Sequence, residues 1–264
     1  MIRFLSFSSG SCGNCCLLLG NEGGVMIDAG VGIRSVKKIL EANGLDFNCF
    51  QSILVTHDHG DHIRNLGSFC KRVKKPVWAT ETLHGALSRH SFTRFDINPC
   101  RKVLTPGWNH VAPGIEARYF IVPHDATETV GYAIRLEGRL FVLMTDLGHV
   151  TDEAIELARK ADSVVIESNY DMDMLLGGDY PHYLKMRICQ GAGHLSNDAC
   201  CEAIRRFMHP GLKNLFLCHL SGNNNTPQLA CGHAADTLRE LGIPDGRIHL
   251  RVLQRAIPSP LIAL

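Results

Sequence analysis

What this chain can fold into is constrained most by a short apolar run, Ser52-Ile53-Leu54-Val55, that stops in Thr56-His57-Asp58-His59-Gly60-Asp61-His62. An apolar run of this length, bounded by polar residues, reads as a strand buried on both faces. Directly behind it, seven positions hold three imidazoles and two carboxylates, the side chains that Zn, Mn and Fe accept as ligands. His57 and His59 stand two apart, so from an extended segment they project the same way. Asp61 and His62 fall where Ile63, Leu66 and Phe69 predict a turn into helix, and they face a second point nearby. Fourteen histidines scattered through 264 residues would leave incidental ones in a polar turn, not five ligand-type side chains behind one strand. The stretch predicts a metal centre, and its two directions of projection predict two ions.

Such a centre needs ligands from elsewhere, and the chain offers them on one repeated pattern. Tyr119 to Val122 ends in Pro123-His124-Asp125, Leu140 to Met144 in Thr145-Asp146, Val164 to Ile166 in Glu167, and Leu215 to Cys218 in His219. With His57, five apolar strands each stop at a residue able to bind or support a metal. One buried His or Asp at a strand end is ordinarily a hydrogen-bonded structural residue; five on one pattern are better explained by one site. Gly24 to Asp28 is another buried strand ending in an acid. Asp28 can orient a ligand histidine from behind or cap the helix predicted over Ile33 to Ala42, which Asn43-Gly44 stops.

Further helices are predicted from residue 61 to about 70, over Glu81 to His90, Asp152 to Ala161 after Thr151, Asn197 to Phe207, and Pro227 to Leu241 after Thr226. The small residues Ser8 to Asn14, between strands at 2–7 and 15–19, admit two readings. They are a hairpin connection, or a loop whose N–H groups and hydroxyls approach a phosphate. The apolar tail from Pro258 to Leu264 is expected to pack on the body or on an oligomer partner.

Composition narrows the class further. With 45% hydrophobic and 20% charged side chains, a chain of this length can bury a full core. No linker divides it, so residues 1–264 read as one domain. The net charge of +1 gives no global footprint for nucleic acid or membrane, while a local basic groove remains compatible with it. The run Lys71, Arg72, Lys74, Lys75 reads as a solvated face. No stretch approaches the length of a membrane-spanning helix, and Met1-Ile2-Arg3-Phe4 has no signal-peptide layout, so a cytoplasmic location is expected. The eleven cysteines are then expected as small buried apolar residues rather than disulfides. Cys12-x-x-Cys15 lacks the second pair that a zinc site would need.

His57-x-His59-x-Asp61-His62, followed by His124, Asp146 and His219, resembles the metallo-β-lactamase superfamily, with Asp28 matching its first strand-end acid. The resemblance covers nearly the whole chain. It implies an α+β fold, a four-layer αββα sandwich of two mixed sheets. Within the superfamily, Ser8-Ser9-Gly10-Ser11-x-Gly13-Asn14, Asp28-Ala29-Gly30, Pro123-His124-Asp125-Ala126, Thr145-Asp146-Leu147-Gly148 and Glu167-Ser168-Asn169 occur in order. Tyr180-Pro181-x-x-Leu184-Lys185-x-Arg187, Gly193-His194-Leu195-Ser196-Asn197 and Cys218-His219-Leu220-Ser221 follow. Together they resemble the bacterial YycJ (WalJ) proteins, similar to the nuclease branch that contains tRNase Z and RNase J. The chain departs at Asn169-Tyr170-Asp171, where that family has Asn-His-Asp. The gap from Asp146 to His219 cannot hold a β-CASP insertion, and there is no tRNase Z-type exosite arm.

The resemblance implies a metal-dependent phosphodiesterase, a DNA exonuclease running 5′ to 3′. It assigns His57, His59 and His124 to one divalent ion (Zn, Mn or Fe) and Asp61, His62 and His219 to a second. Asp146 bridges the two, Asp28 orients a ligand, and the ion pair activates a hydroxide for attack at phosphorus. Asp61, His194 and Glu167 form the catalytic set, with His194 as proton donor to the leaving oxygen and Glu167 supporting it. The plainer reading has His194 capping its helix and Glu167 meeting a surface lysine. Phosphate or ion contacts fall to Ser9, Asn14, Asn169, Ser196 and Asn197; Lys185 and Arg187 either receive phosphates or are surface residues. His182, His209, His233 and His249 are expected to be structural. The implied partner is nucleic acid, DNA rather than RNA, without a membrane, and the oligomeric state is open. A thioester or lactone hydrolase would use the same ligands without the His194–Glu167 pair. A non-enzymatic metal-binding regulator would need the ligands alone.

Overall fold

In the computed structural model, which describes residues 1–264, the alternation of apolar residues sorts the strands into two sheets. The first holds β1 (Arg3–Ser8), β2 (Cys15–Leu19), β3 (Gly24–Ile27), β4 (Ser52–Leu54), β5 (Val77–Ala79) and β6 (Arg101–Val103). The second holds β7 (Asn109–Ala112), β8 (Ile115–Ile121), β9 (Val130–Leu136), β10 (Arg139–Met144), β11 (Ser163–Glu167), β12 (Asn214–Cys218) and β13 (His249–Val252). The chain then returns to the first sheet as β14 (Ile262–Ala263), antiparallel to β1 with Phe4 opposite Ile262. The apolar tail is therefore an edge strand of the body.

Along β1, Phe4 points between the sheets and Leu5 toward the outer helices, the two-residue period of a strand covered on both faces. Between the sheets, Phe4 meets Phe141 and Phe216 at ring-centroid distances of 5.5 and 5.0 Å. Ile27 and Leu54 pack there with Tyr132 and Val165. Outside the first sheet lie α1 (Ile33–Ala42), α2 (Gly60–Ile63), α3 (Leu66–Arg72) and α4 (Glu81–Leu87). The second sheet is followed by α5 (Asp152–Ala158), α6 (Met172–Gly177), α7 (His182–Cys189), α8 (Asn197–Phe207) and α9 (Pro227–Glu240). Of these, α5, α8 and α9 cover its outer face through Ile155, Ile204, Phe207, Ala230 and Leu238. The layers are α, β, β, α, the α+β sandwich that the resemblance implies.

Helix α1 shows how the local sequence sets an element. Val36 and Leu40, four apart, bury one face while Lys37, Lys38 and Glu41 stay outside. Gly44, at φ +69°, ends it in the left-handed conformation that glycine allows. The helix expected from residue 61 to 70 is instead two pieces. Asn65 breaks it by donating its N–H to Ala29 O (3.0 Å) and its amide to Gly30 O (2.9 Å). The helix expected to His90 stops at Leu87, and strands β6 and β13 carry too little alternation to be read in advance. All eleven cysteines are free thiols, seven of them buried. No helix is long and apolar enough to cross a membrane.

For function the important register is in the second sheet. Strands β10, β11 and β12 run parallel, with Met144 opposite Ile166 and Glu167 opposite Cys218. Their carboxyl ends therefore finish level, and so do those of parallel β3 and β4, where Ile27 faces Leu54. Side chains just past all five ends meet at one rim of the sandwich.

Candidate metal centre

The first sheet contributes a compact unit built around Asp28. Its Oδ1 accepts from Thr56 N and its Oδ2 from Thr56 Oγ1, both at 2.8 Å, while His62 Nδ1 lies 2.7 Å from Oδ2. With Nδ1 held by a buried carboxylate, His62 Nε2 is aimed away from Asp28, into the site. The motif backbone is fixed as well: Asn14 N donates to Asp61 O (2.8 Å) and Ala29 N to His62 O (2.7 Å). Gly30 is what lets these segments touch. A Cβ there would lie 1.6 Å from the Asp61 carbonyl oxygen. Asp28 itself does not cap α1; its carboxylate is used entirely on Thr56 and His62.

The second sheet contributes His124, Asp146, Glu167 and His219 from its strand ends, and His194 from the turn before α8. Glu167, fully buried, has four partners. Oε1 is 2.8 Å from both His194 Nδ1 and His219 Nδ1, and Oε2 accepts from Leu147 N and Leu195 N at 3.0 Å. His124 Nδ1 donates to Gly193 O at 2.8 Å. Helix α8 is capped by Ser196, whose Oγ accepts from Ala199 N. His194 is therefore not the cap, and Glu167 meets no lysine. Asp28, Asp146 and His219 all sit at φ between 53° and 59°. For a residue with a side chain that costs about 1–3 kcal/mol, and it persists because the hydrogen bonds around each one fix it.

The two contributions interlock. His62 Nε2 is 3.1 Å from Asp146 Oδ2, His219 Nδ1 is 3.1 Å from Asp146 Oδ1, and His62 Nε2 and His219 Nε2 are each 3.7 Å from Asp61 Oδ2. The ligand atoms of His57, His59 and His124 fall within 4.8 Å of one another, as do those of Asp61, His62 and His219, and those of His57, His62 and Asp146. Asp146 thus stands between two clusters. A divalent cation fits this arrangement on an independent observation. His57 Nε2 and His219 Nε2 are buried with no hydrogen-bond partner, a state that costs free energy unless some other group takes the partner's place.

Electrostatics agree with that fit. Burial lowers the pKa of His57 and His124, so both imidazoles are neutral and able to ligate. Burial acts the same way on His62 and His219, but the carboxylates outweigh it. Asp146 and Asp28 raise His62 well above its usual range, and Asp146 with Asp61 and Glu167 carries His219 up to about 10. Burial disfavours the charge on Asp61, yet the His219 and His62 imidazoles bring it down to about 2. Without cations, the centre holds protons in their place.

The remaining predicted residues divide. Asn14 is part of the centre, with Nδ2 3.1 Å from Asp61 Oδ2 and 2.8 Å from His62 Nε2. Ser9 Oγ accepts from His219 N, and Asn169 Nδ2 donates to His219 O, so both position a candidate ligand. Ser196 caps α8, and buried Asn197 bonds Ser168 and Asn225. Lys185 Nζ donates to Leu176 O, and Arg187 Nε to Asp125 Oδ2 at 2.6 Å. A cleft of about 310 Å³ opens over the centre between His59, Asp61, His194 and His219 on one side and Tyr180, Leu184 and Arg187 on the other. Two features escaped the sequence reading. Thr56 links Asp28 to both His57 and His62, and Arg255, from the far end of the chain, lines the cleft. Thr56 was legible as the polar stop of β4; nothing near Arg255 marked it.

The description "Beta-lactamase superfamily domain" matches residues 24–219, from the start of β3 to the last candidate ligand. In fold, 98% of the chain overlays 98% of the metallo-β-lactamase fold protein YhfI from Bacillus subtilis, at a TM-score of 0.71 and 14% identity. It likewise overlays Zn(2+)-bound PqqB from Methylobacterium extorquens, with 98% and 100% of the chains covered, a TM-score of 0.69 and 15% identity. The chain belongs to the metallo-β-lactamase superfamily and is a metal-dependent hydrolase. More narrowly, it is 32% identical over 245 residues to the Exodeoxyribonuclease YycJ of Bacillus anthracis, covering 93% of this chain and 92% of that protein. It is 30% identical over 228 residues to the Exodeoxyribonuclease WalJ of Streptococcus pneumoniae, covering 86% and 85%.

Proposed function

We propose that this protein is a cytoplasmic two-metal phosphodiesterase that removes nucleotides from DNA, 5′ to 3′. The reading rests on one observation above the rest: His194 and His219 share the Glu167 carboxylate at 2.8 Å each. That couples a cleft-facing imidazole to a buried ligand histidine. His57, His59 and His124 would hold one ion (Zn, Mn or Fe), Asp61, His62 and His219 the other, with Asp146 between them. Two such ions would supply an activated water and positive charge for in-line attack at phosphorus.

The protein's own groups do the rest. Asp28 and Glu167 fix which nitrogen each ligand histidine presents. His194, 23% exposed at the cleft, is disfavoured as a cation by burial, but Glu167 and Asp146 raise its pKa above the ordinary value. Glu167 accepts from His194 Nδ1 and holds that proton in place, and the Nε2 proton is available to the departing 3′ oxygen of the released 5′-terminal nucleotide, whose alkoxide is a poor leaving group. A thioester hydrolase needs no such donor, and no feature of the cleft favours that reading. The names of the YycJ and WalJ relatives support DNA as the substrate class.

The test is digestion of end-labelled duplex DNA, single-stranded DNA and RNA with Zn, Mn or Fe added, comparing 5′-phosphate and 5′-hydroxyl ends. Successive mononucleotide release from the 5′ end of DNA is expected. Turnover of small esters with every nucleic acid left intact would overturn the reading.

A further inference from the structure

The loop between β1 and β2 keeps few of its N–H groups for a ligand. Ser9 N donates to Gln254 O and Arg255 O (3.1 and 3.2 Å), Gly10 N to Asn14 Oδ1 (2.7 Å), Gly13 N to Gly10 O (2.8 Å) and Asn14 N to Asp61 O (2.8 Å). What the loop grips is an arginine from the far end of the chain, Arg255, 243 to 247 positions away from the side chains that touch it. The Arg255 carbonyl accepts from Ser9 N, from Ser8 Oγ and from Cys12 Sγ. Its side chain then runs between two glycines. A Cβ on Gly10 would lie 3.0 Å from Arg255 Cγ, and one on Gly222 would lie 3.0 Å from Cζ.

The guanidinium ends in the wall of the cleft. Nη1 donates to Leu220 O at 3.0 Å, the carbonyl next after ligand candidate His219, and Nη2 to Ser11 Oγ at 3.1 Å. No carboxylate lies within 4.0 Å of it. Of an arginine's five N–H donors, two are taken by these neutral acceptors and three have no protein partner. The other arginine of the cleft differs, because Arg187 is closed onto Asp125 at 2.6 Å. A guanidinium stays charged at any physiological pH and binds phosphate through paired donors. A fixed, half-buried one without an acid is set up for an anion.

We infer that Arg255 anchors a backbone phosphate of the substrate strand, next to the phosphodiester held at the metal centre. The small-residue loop serves that anchor by clasping its backbone. This rests on the phosphodiesterase reading of the site, since a small ester would have no second phosphate to offer.

The experiment uses the metal-loaded full chain and a fluorescent single-stranded oligodeoxynucleotide with uncleavable phosphorothioate linkages, titrated by anisotropy at several salt concentrations. Arg255→Gln should weaken binding about tenfold or more and reduce the slope of log affinity against log salt by about one. Arg255→Lys, which keeps the charge, should restore the slope. Gly222→Ala, which displaces the guanidinium and leaves the loop clasp in place, should weaken binding while the thermal midpoint stays near wild type. Equal weakening by Gln and Lys with an unchanged slope would overturn the phosphate role and leave only the loop clasp. Wild-type affinity in Arg255→Gln would overturn it outright, whatever the wild type does to DNA. Failure of the wild type to bind the oligonucleotide at all would overturn this inference together with the nuclease reading.

Discussion

The two sides of the metal centre are made in opposite ways. The first sheet supplies His57, His59, Asp61 and His62 from one six-residue stretch that runs from the end of β4 into α2, folded around a single buried acid through Asp28–Thr56 and Asp28–His62 contacts of 2.7–2.8 Å. The second side supplies Asp146, Glu167 and His219 from the level ends of parallel β10, β11 and β12, His124 from the end of β8 and His194 from the turn before α8, across nearly a hundred positions. Each side nevertheless has one buried carboxylate behind its histidines. Asp28 faces a single imidazole, whereas Glu167 faces two, one of them open to the cleft. On the proposed function, the carboxylate behind one ligand would only help hold the metal, and the one shared with a cleft histidine would also bear on the reaction.

The largest expected effect lies where the sides meet. Asp146→Ala removes the group common to both clusters, so inductively coupled plasma analysis should find the metals lost and phosphodiester hydrolysis abolished. Prolonged chelation should do the same to the wild type, with recovery on adding metal back. Retention of two tightly held ions in Asp146→Ala would break the picture of a shared bridge.

Next comes the matched pair Asp28→Asn and Glu167→Gln. Replacing a carboxylate behind a ligand histidine costs about 10–100-fold in metal affinity, and both variants should show that loss by competition with a chromophoric chelator. Once metal is saturating, Asp28→Asn should recover most of kcat while Glu167→Gln stays low. Full recovery of both would erase the difference between the two sides.

The smallest effect is in pH. In the metal-free protein His219 titrates at about 10 and His62 is raised well above its ordinary range, so both carry protons at neutral pH that a cation must displace. Metal affinity should therefore rise from pH 6 to pH 8, with protons released on binding in a weakly buffered solution. Affinity that is flat over that window would mean the imidazoles are already neutral.

The contrast between the sides also explains what the sequence disclosed. The first side is local, so its ligands are visible in one stretch and its strand in one apolar run. The second was visible because four of its strands end on the same kind of residue, although only the register of β10, β11 and β12 brings Asp146, Glu167 and His219 level. The sharing of Glu167 by two histidines was not legible, since it depends on distances across the sheet rather than on spacing. Neither was the break between α2 and α3, because Asn65 is drawn out of the helix by Ala29 and Gly30, more than thirty positions earlier. Ser196 and Asn197 looked like phosphate contacts from their place in a motif; the first is a helix cap and the second a buried amide bonded to Ser168 and Asn225. Arg255 stands in an unremarkable tail and becomes significant only where Gly10 and Gly222 let it pass.

The most direct measurement is of His194→Ala, with metal content determined on the same sample, assayed on DNA and on bis(4-nitrophenyl) phosphate. Nitrophenolate leaves without a proton, whereas the 3′ alkoxide of DNA does not. With both ions retained, kcat on DNA should fall about 10²–10⁴-fold, and turnover of the activated ester should fall far less. Equal losses on the two substrates, or none on either, would contradict His194 as the proton donor of a phosphodiesterase.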